Sequence, residues 1–180
     1  KYWLRQELHQ YQIRGGPPTE HELKLLQKFE LVDAVCVPAI INSLKGALVL
    51  GATVVAVRKR LHHLLRHHQY GTEFSRVYLL GGARPLDAEK ESPQVLLTPA
   101  ELPFRAGWTA PDHLPTTEAG MMKLVADQSD LPPEWSLTVI DTPLQPVGDG
   151  KTRHPNTTDT VRQWVETKPE PGPYLLVSSQ

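Results

Sequence analysis

Gly46-Ala47-Leu48-Val49-Leu50-Gly51-Ala52-Thr53 is a continuous apolar run that closes on a glycine and a small polar pair. It does not alternate between apolar and polar residues, as a strand with one wet face would. Such a run suits a strand covered on both faces, as in a parallel sheet. Directly after it, Val54, Val57, Leu61, Leu64 and Leu65 recur at helical spacing, with Arg58, Lys59, His62 and Arg66 on the opposite side. That is an amphipathic helix, and strand, glycine turn and helix together make the first half of a βαβ unit.

The same alternation continues downstream. Arg76-Val77-Tyr78-Leu79-Leu80 reads as a second strand ending at Gly81-Gly82. Thr117-Glu118 opens a helix carrying Met121, Met122, Leu124 and Val125, which stops at Leu131-Pro132-Pro133. Leu137-Thr138-Val139-Ile140 is a third strand. Asn156 caps a further helix containing Val161, Trp164 and Val165, with Asp159 at its third position facing the positive end of the helix dipole. Tyr174-Leu175-Leu176-Val177 is a fourth strand running into Ser178-Ser179-Gln180. The proline-rich stretch 83–116 and the polar stretch 143–155 are predicted loops, the first pinned by Phe104 and Trp108. The order predicts a three-layer, Rossmann-like α/β domain, with a parallel sheet, right-handed crossovers and helices on both faces.

Upstream, Gly15-Gly16-Pro17-Pro18 is a break, and Thr19 with Glu22 has the spacing of a capping box. A helix is predicted over 20–30, with partly helical chain over 31–45 interrupted at Pro38. The expected organisation is an N-terminal helical segment, 1–45, packed on a Rossmann-like domain, 46–180. The chain begins at Lys1 rather than methionine and ends just after a buried-looking strand. From this we expect natural sequence beyond both ends, and a cytoplasmic or an envelope-associated location stays open.

Composition narrows the function. Nineteen basic residues face 20 acidic ones for a net charge of −1, so no broad cationic surface exists to bind nucleic acid. The one cysteine, Cys36, excludes an intrachain disulfide and a multi-cysteine metal site, and its apolar flanks mark it as a buried small hydrophobe. No apolar stretch approaches the roughly 18 residues of a membrane span. His62, His63, His67 and His68 cluster on one helix, but they lack the H-E-x-x-H glutamate, and Arg60 and Arg66 repel a cation there, so no metal site is expected.

In a parallel sheet, ligands bind beyond the carboxyl ends of the strands, where the strand order reverses. The predicted rim therefore gathers Gly51, Ala52 and Thr53, then Gly81, Gly82 and Arg84, then Asp141 and Thr142, then Asn156 and Thr157, then Ser178 and Ser179. The glycine turns either bring backbone amides to an anion or only turn the chain; neither contains a full G-x-G-x-x-G or a Walker lysine. Arg84 can clamp a phosphate or carboxylate bidentately. Glu118 can meet a ligand hydroxyl or act as a base, or it serves only the helix dipole. Asn156 and Thr157 can cap their helix, face an anion, or do both. His113 and His154 are loop histidines near the same rim.

These motifs, in this order, resemble the bacterial DUF218 family, which contains the SanA-like and YdcF-like proteins. The similarity runs over 46–180: the strand Leu48–Gly51 followed by Arg58 or Arg60, then Leu80-Gly81-Gly82, Thr117-Glu118-Ala119, Asn156-Thr157-Thr158-Asp159 and Leu175–Ser179. Thr160 stands where the family has a second asparagine. The resemblance implies a Rossmann-like fold and a link to cell-envelope metabolism. It also implies a nucleotide-type ligand such as S-adenosylmethionine, held by Gly51, Ala52, Thr53, Arg58, Gly81, Gly82, Arg84, Asn156, Thr157, Ser178 and Ser179, with Glu118 as the candidate catalytic residue. An enzyme and a pure binder are both compatible with it. The rival expectation is a non-catalytic interaction or scaffold domain, presenting 1–45 and the 83–116 loop to a partner protein.

Overall fold

The computed structural model describes residues 19–21, 24 and 44–178. Two units are distinguished, Lys1–Cys36 and Val37–Ser179. In the first, Glu20, His21 and Lys24 are helical, and Lys24 Nζ donates to Glu20 Oε1 at 2.8 Å, one turn away. Most of the predicted helices over 20–45, with Glu22 and Cys36, lie outside the described residues.

The second unit is an α/β domain. Its elements are β1 (Gly46–Leu50), α1 (Val54–Gln69), β2 (Arg76–Gly82), α2 (Pro93–Leu97), α3 (Glu118–Gln128), β3 (Ser136–Thr142), β4 (Gln145–Gly148), β5 (Lys151–Arg153), α4 (Thr157–Glu166) and β6 (Tyr174–Val177). Four strands form one parallel sheet in the order β3-β2-β1-β6. All five residues of β1 are buried, as an internal strand covered on both sides requires.

Alternate residues of each strand feed two cores. Ala47, Val49, Val77, Leu79, Leu175 and Val177 pack with Val54, Val57, Leu61 and Leu64 of α1 and with Met121, Met122 and Val125 of α3. Leu48, Leu50, Leu80 and Ile140 pack on the other face against Trp164 of α4. Helices therefore cover both faces, which makes three layers. The second face is the thinner of the two, and Leu176 of the edge strand β6 remains 55% exposed there.

Chain order explains where the rim lies. From β1 the chain moves through α1 to β2 and through α3 to β3, stepping one way across the sheet. It then returns past α4 to β6, on the other side of β1. Strand order thus reverses between β1 and β6, beside Gly51 and Ser178.

Three local expectations change. Gly81 and Gly82 belong to β2 and pair with Asp141 and Thr142, so they extend the strand rather than turn it. The 83–116 stretch is anchored by α2, by a bridge between Pro85 and Thr117 and by another between Phe104 and Ser129. The rings of Phe104 and Trp108 meet edge-on at 4.8 Å. The 143–155 stretch is not a loop throughout, because β4 and β5 form an antiparallel hairpin. Its turn uses Asp149 and Gly150 at φ 49° and 70°, the left-handed pair that an Asp-Gly dipeptide favours.

Candidate functional site

Beyond β1 the chain passes through Gly51, Ala52 and Thr53 into α1. Thr53 is the extended N-cap of α1, but its side chain accepts no cap hydrogen bond, and the first turn contains no acid. The N–H groups of Val54, Val55 and Ala56 find no acceptor among the described residues. The N-terminal end of α1 thus keeps its positive partial charge.

The start of α3 stands over the tip of β1. Thr117 caps α3 by accepting from the Gly120 N–H, which leaves Glu118 as the first helical residue. Glu118 is 9% exposed. Its carboxyl group lies so close to Gly51 that a Cβ on Gly51 would sit 2.7 Å from both Cδ and Oε2. Only glycine leaves room for this acid at the strand tip. Gly81 and Gly82 play a similar part, since a Cβ on either would press on Ala119 or Pro155. The glycines of the rim serve close packing.

Arg84 follows β2 and points inward, and its five N–H groups all meet protein acceptors. Nε donates to Glu118 Oε1 at 3.2 Å. Nη1 donates to Glu91 Oε2 at 2.9 Å and to the Pro85 carbonyl at 2.9 Å. Nη2 donates to Glu91 Oε1 at 3.1 Å and to the Ala52 carbonyl at 3.2 Å. The bidentate partner expected of Arg84 is therefore Glu91, a residue of its own chain. Arg60, from α1, donates to the carbonyls of Leu50 and Gly51 at 2.6 and 2.8 Å. Two arginines and two glutamates thus meet at the tips of β1 and β2. Burial pushes the Glu118 carboxyl above its ordinary range; Arg84 pulls it back, Glu91 adds to the rise, and Arg60 opposes it more weakly.

Arg58 does not join this rim, which corrects its placement as a ligand residue. It is 2% exposed. Its guanidinium donates to the carbonyls of Val95, Leu96 and Thr98 and to Gln128 Oε1, at 2.7 to 3.1 Å. Those acceptors are the carbonyls that finish α2 and the last residue of α3, the end of that helix remote from Glu118. The physical reason is one of demand: a helix end leaves carbonyls without donors, and a buried arginine supplies several at once.

Asn156 and Thr157 begin α4 near the same edge, where Pro155 lies against Gly82. The cap is complete. Asn156 accepts from the Asp159 N–H at 3.1 Å, and Asp159 accepts from the Asn156 N–H at 2.8 Å. Arg153 grips Asp159 bidentately at 2.6 and 3.1 Å, and this hydrogen bonding holds the Asp159 carboxyl below its ordinary range. The start of α4 is thus filled by its own carboxylate, whereas that of α1 is open. Ser178 follows β6 and is exposed; Ser179 lies outside the described residues. His113 and His154 are exposed. Among the described residues no three potential metal ligands converge, and His63 and His67 face each other, Nε2 to Nε2, at 3.1 Å.

Two members of the charged group stand outside the expected set. Arg60 was named only as an alternative to Arg58. Glu91 sits in aperiodic chain seven residues after Arg84, and nothing in its neighbourhood marks it. No helix of the described residues is long and apolar enough to cross a membrane. Compared with known proteins, the chain matches no family model, no curated protein and no solved structure.

Proposed function

We propose that this domain binds a small anionic, nucleotide-type molecule in the crevice beyond β1, with Glu118 as its polar anchor. The observation that supports this best is the acid set over Gly51, at the point where strand order reverses. Gly51 leaves room for a carboxyl group whose Oε2 receives no hydrogen bond among the described residues. Oε2 keeps some access to solvent, the Glu118 side chain being 11% exposed, so a ligand group can reach it.

The open start of α1 suits the anionic part of the ligand, and Glu118 Oε2 suits a ligand hydroxyl. Arg84 enters this reading as the group that holds Glu118, because its own donors are spent. The order of motifs shared with the DUF218 family supports the same kind of ligand, S-adenosylmethionine or another nucleotide, and an envelope-linked enzyme would use Glu118 as its acid or base.

Calorimetric titration with S-adenosylmethionine, a panel of nucleotides and phosphosugars tests the proposal. Binding by one of them is expected to weaken at least about tenfold in Glu118→Gln, the equivalent of one lost hydrogen bond of about 1.4 kcal/mol. Arg58→Lys is expected to leave that affinity alone. Absence of binding across the panel and in an unbiased metabolite mixture would sink the reading.

A further inference from the structure

Glu91 is an acid with a 0% exposed side chain. Its oxygens are given wholly to its neighbours: Arg84 Nη1 and Nη2, and the Asp87 N–H at 2.8 Å. A buried ion pair rarely repays its desolvation as stability alone. Its geometry, however, has a consequence for Glu118. The two parallel bonds to Glu91 fix the plane of the Arg84 guanidinium, and with it the direction of Nε–H, which meets Glu118 Oε1 and leaves Oε2 over Gly51.

We propose that Glu91 and Arg84 are a positioning pair that makes Oε2 of Glu118 the one oxygen of that carboxyl group able to carry a proton and exchange it with the crevice. The inference rests on the reading above, that Glu118 faces a ligand. A carboxylic acid has one proton and two oxygens. With an N–H already directed at Oε1, the proton belongs on Oε2. Among the described residues, the charges facing Glu118 are Arg84 from the end of β2, Glu91 from the chain before α2, and Arg60 from α1, whose Nη1 is directed at backbone carbonyls. Glu91 balances the charge of Arg84, so the guanidinium orients Glu118 without forcing it to ionise. The protonated acid donates from Oε2 to a ligand oxygen; the ionised form accepts there from a hydroxyl or amine. The pair thereby sets which kind of ligand atom the crevice takes at a given pH.

The test is a carboxyl-carbon NMR titration of the whole protein, with Glu118→Gln assigning the signal. In Glu91→Gln the unbalanced Arg84 is expected to lower the Glu118 midpoint by about one unit, a tenfold loss of proton affinity. In the wild type the Arg84 Nε–H resonance is expected to shift with the same midpoint as Glu118. This second reading decides the matter if Glu91→Gln does not fold. An unmoved Glu118 midpoint in folded Glu91→Gln, or an Arg84 Nε–H that ignores Glu118, overturns the proposal. Adding S-adenosylmethionine separates the two claims. A shifted midpoint without ligand binding supports the positioning pair and removes the proposed function. Binding that weakens in Glu118→Gln, with a midpoint unmoved in Glu91→Gln, does the reverse.

Discussion

Arg58 and Arg84 are both buried arginines, and they differ in what surrounds them. Arg58 lies among neutral acceptors, three carbonyls around the end of α2 and the amide oxygen of Gln128. Arg84 lies between two carboxylates. Carbonyl dipoles can hold a cation, but they neither titrate nor leave a group over. The carboxylate setting leaves Oε2 of Glu118 unused at the strand tip. Burial of a charge is therefore a poor guide to function. An oxygen still unspent once neighbouring donors are accounted for is a better one.

The contrast predicts its largest effect at Arg58. Arg58→Met would take the donor from the Val95 and Thr98 carbonyls and from Gln128 Oε1, while the Leu96 carbonyl keeps the Gln128 Nε2–H, and at the usual cost of such groups the loss is about 3 kcal/mol. Urea unfolding measures it. Arg58→Lys is expected to recover only part of this, because a lysine offers a compact point charge in place of a planar fork. A loss below about 1 kcal/mol in Arg58→Met would break the comparison, since Arg58 would then not be the donor that α2 depends on.

A smaller effect belongs to Gly51. An alanine methyl there meets Glu118 Oε2 and Cδ at 2.7 Å and the Leu80 carbonyl at 2.9 Å. Displacing that acid while it is tied to Arg84 is an overpacking problem, expected to cost about 2 kcal/mol in the same unfolding experiment. What sharpens the comparison is the second readout. Gly51→Ala is expected to move the Glu118 carboxyl signal, and Arg58→Lys to leave it in place. If both variants move that signal alike, the two centres are one coupled unit.

The fold was legible because its strands announce themselves. The apolar run at 46–51 and the helical stripe behind it required a covered strand and a crossover, and two more repeats of that pattern with a fourth strand after them left little choice but a parallel sheet. The cap at Asn156 was equally plain, since its partner Asp159 is three residues away. What stayed hidden depends on distant contacts. Arg58 and Arg60 differ by two positions on one helix, and periodicity cannot tell which will be needed by α2 and which by the tip of β1. Glu91 has no periodic neighbours, and its pairing with Arg84 exists only once the 83–116 stretch folds back. The hairpin at 145–153 is a different kind of omission: Asp149-Gly150 signalled its turn, but two short strands that are almost wholly exposed lack the alternation that would mark them.

The smallest predicted effect is in the pH dependence of stability. The Glu118 carboxyl is raised above its ordinary value of 4.5, chiefly by burial. An acid raised in this way binds its proton more tightly folded than unfolded, so its contribution to stability is complete below 4.5 and fades as pH climbs through the higher folded value. The hydrogen-bond partners of Arg58 among the described residues are carbonyls and an amide, which contribute no such slope. Asp159 contributes one of opposite sign, since its lowered carboxyl favours the fold above its ordinary range and loses that advantage as pH falls. Comparing wild type with Glu118→Gln cancels the Asp159 part. The difference in melting temperature, wild type minus variant, should therefore decrease between about pH 4 and pH 8. A difference that stays flat would mean Glu118 is ionised throughout, held so by Arg84, and the contrast between a proton-exchanging centre and an inert one would disappear.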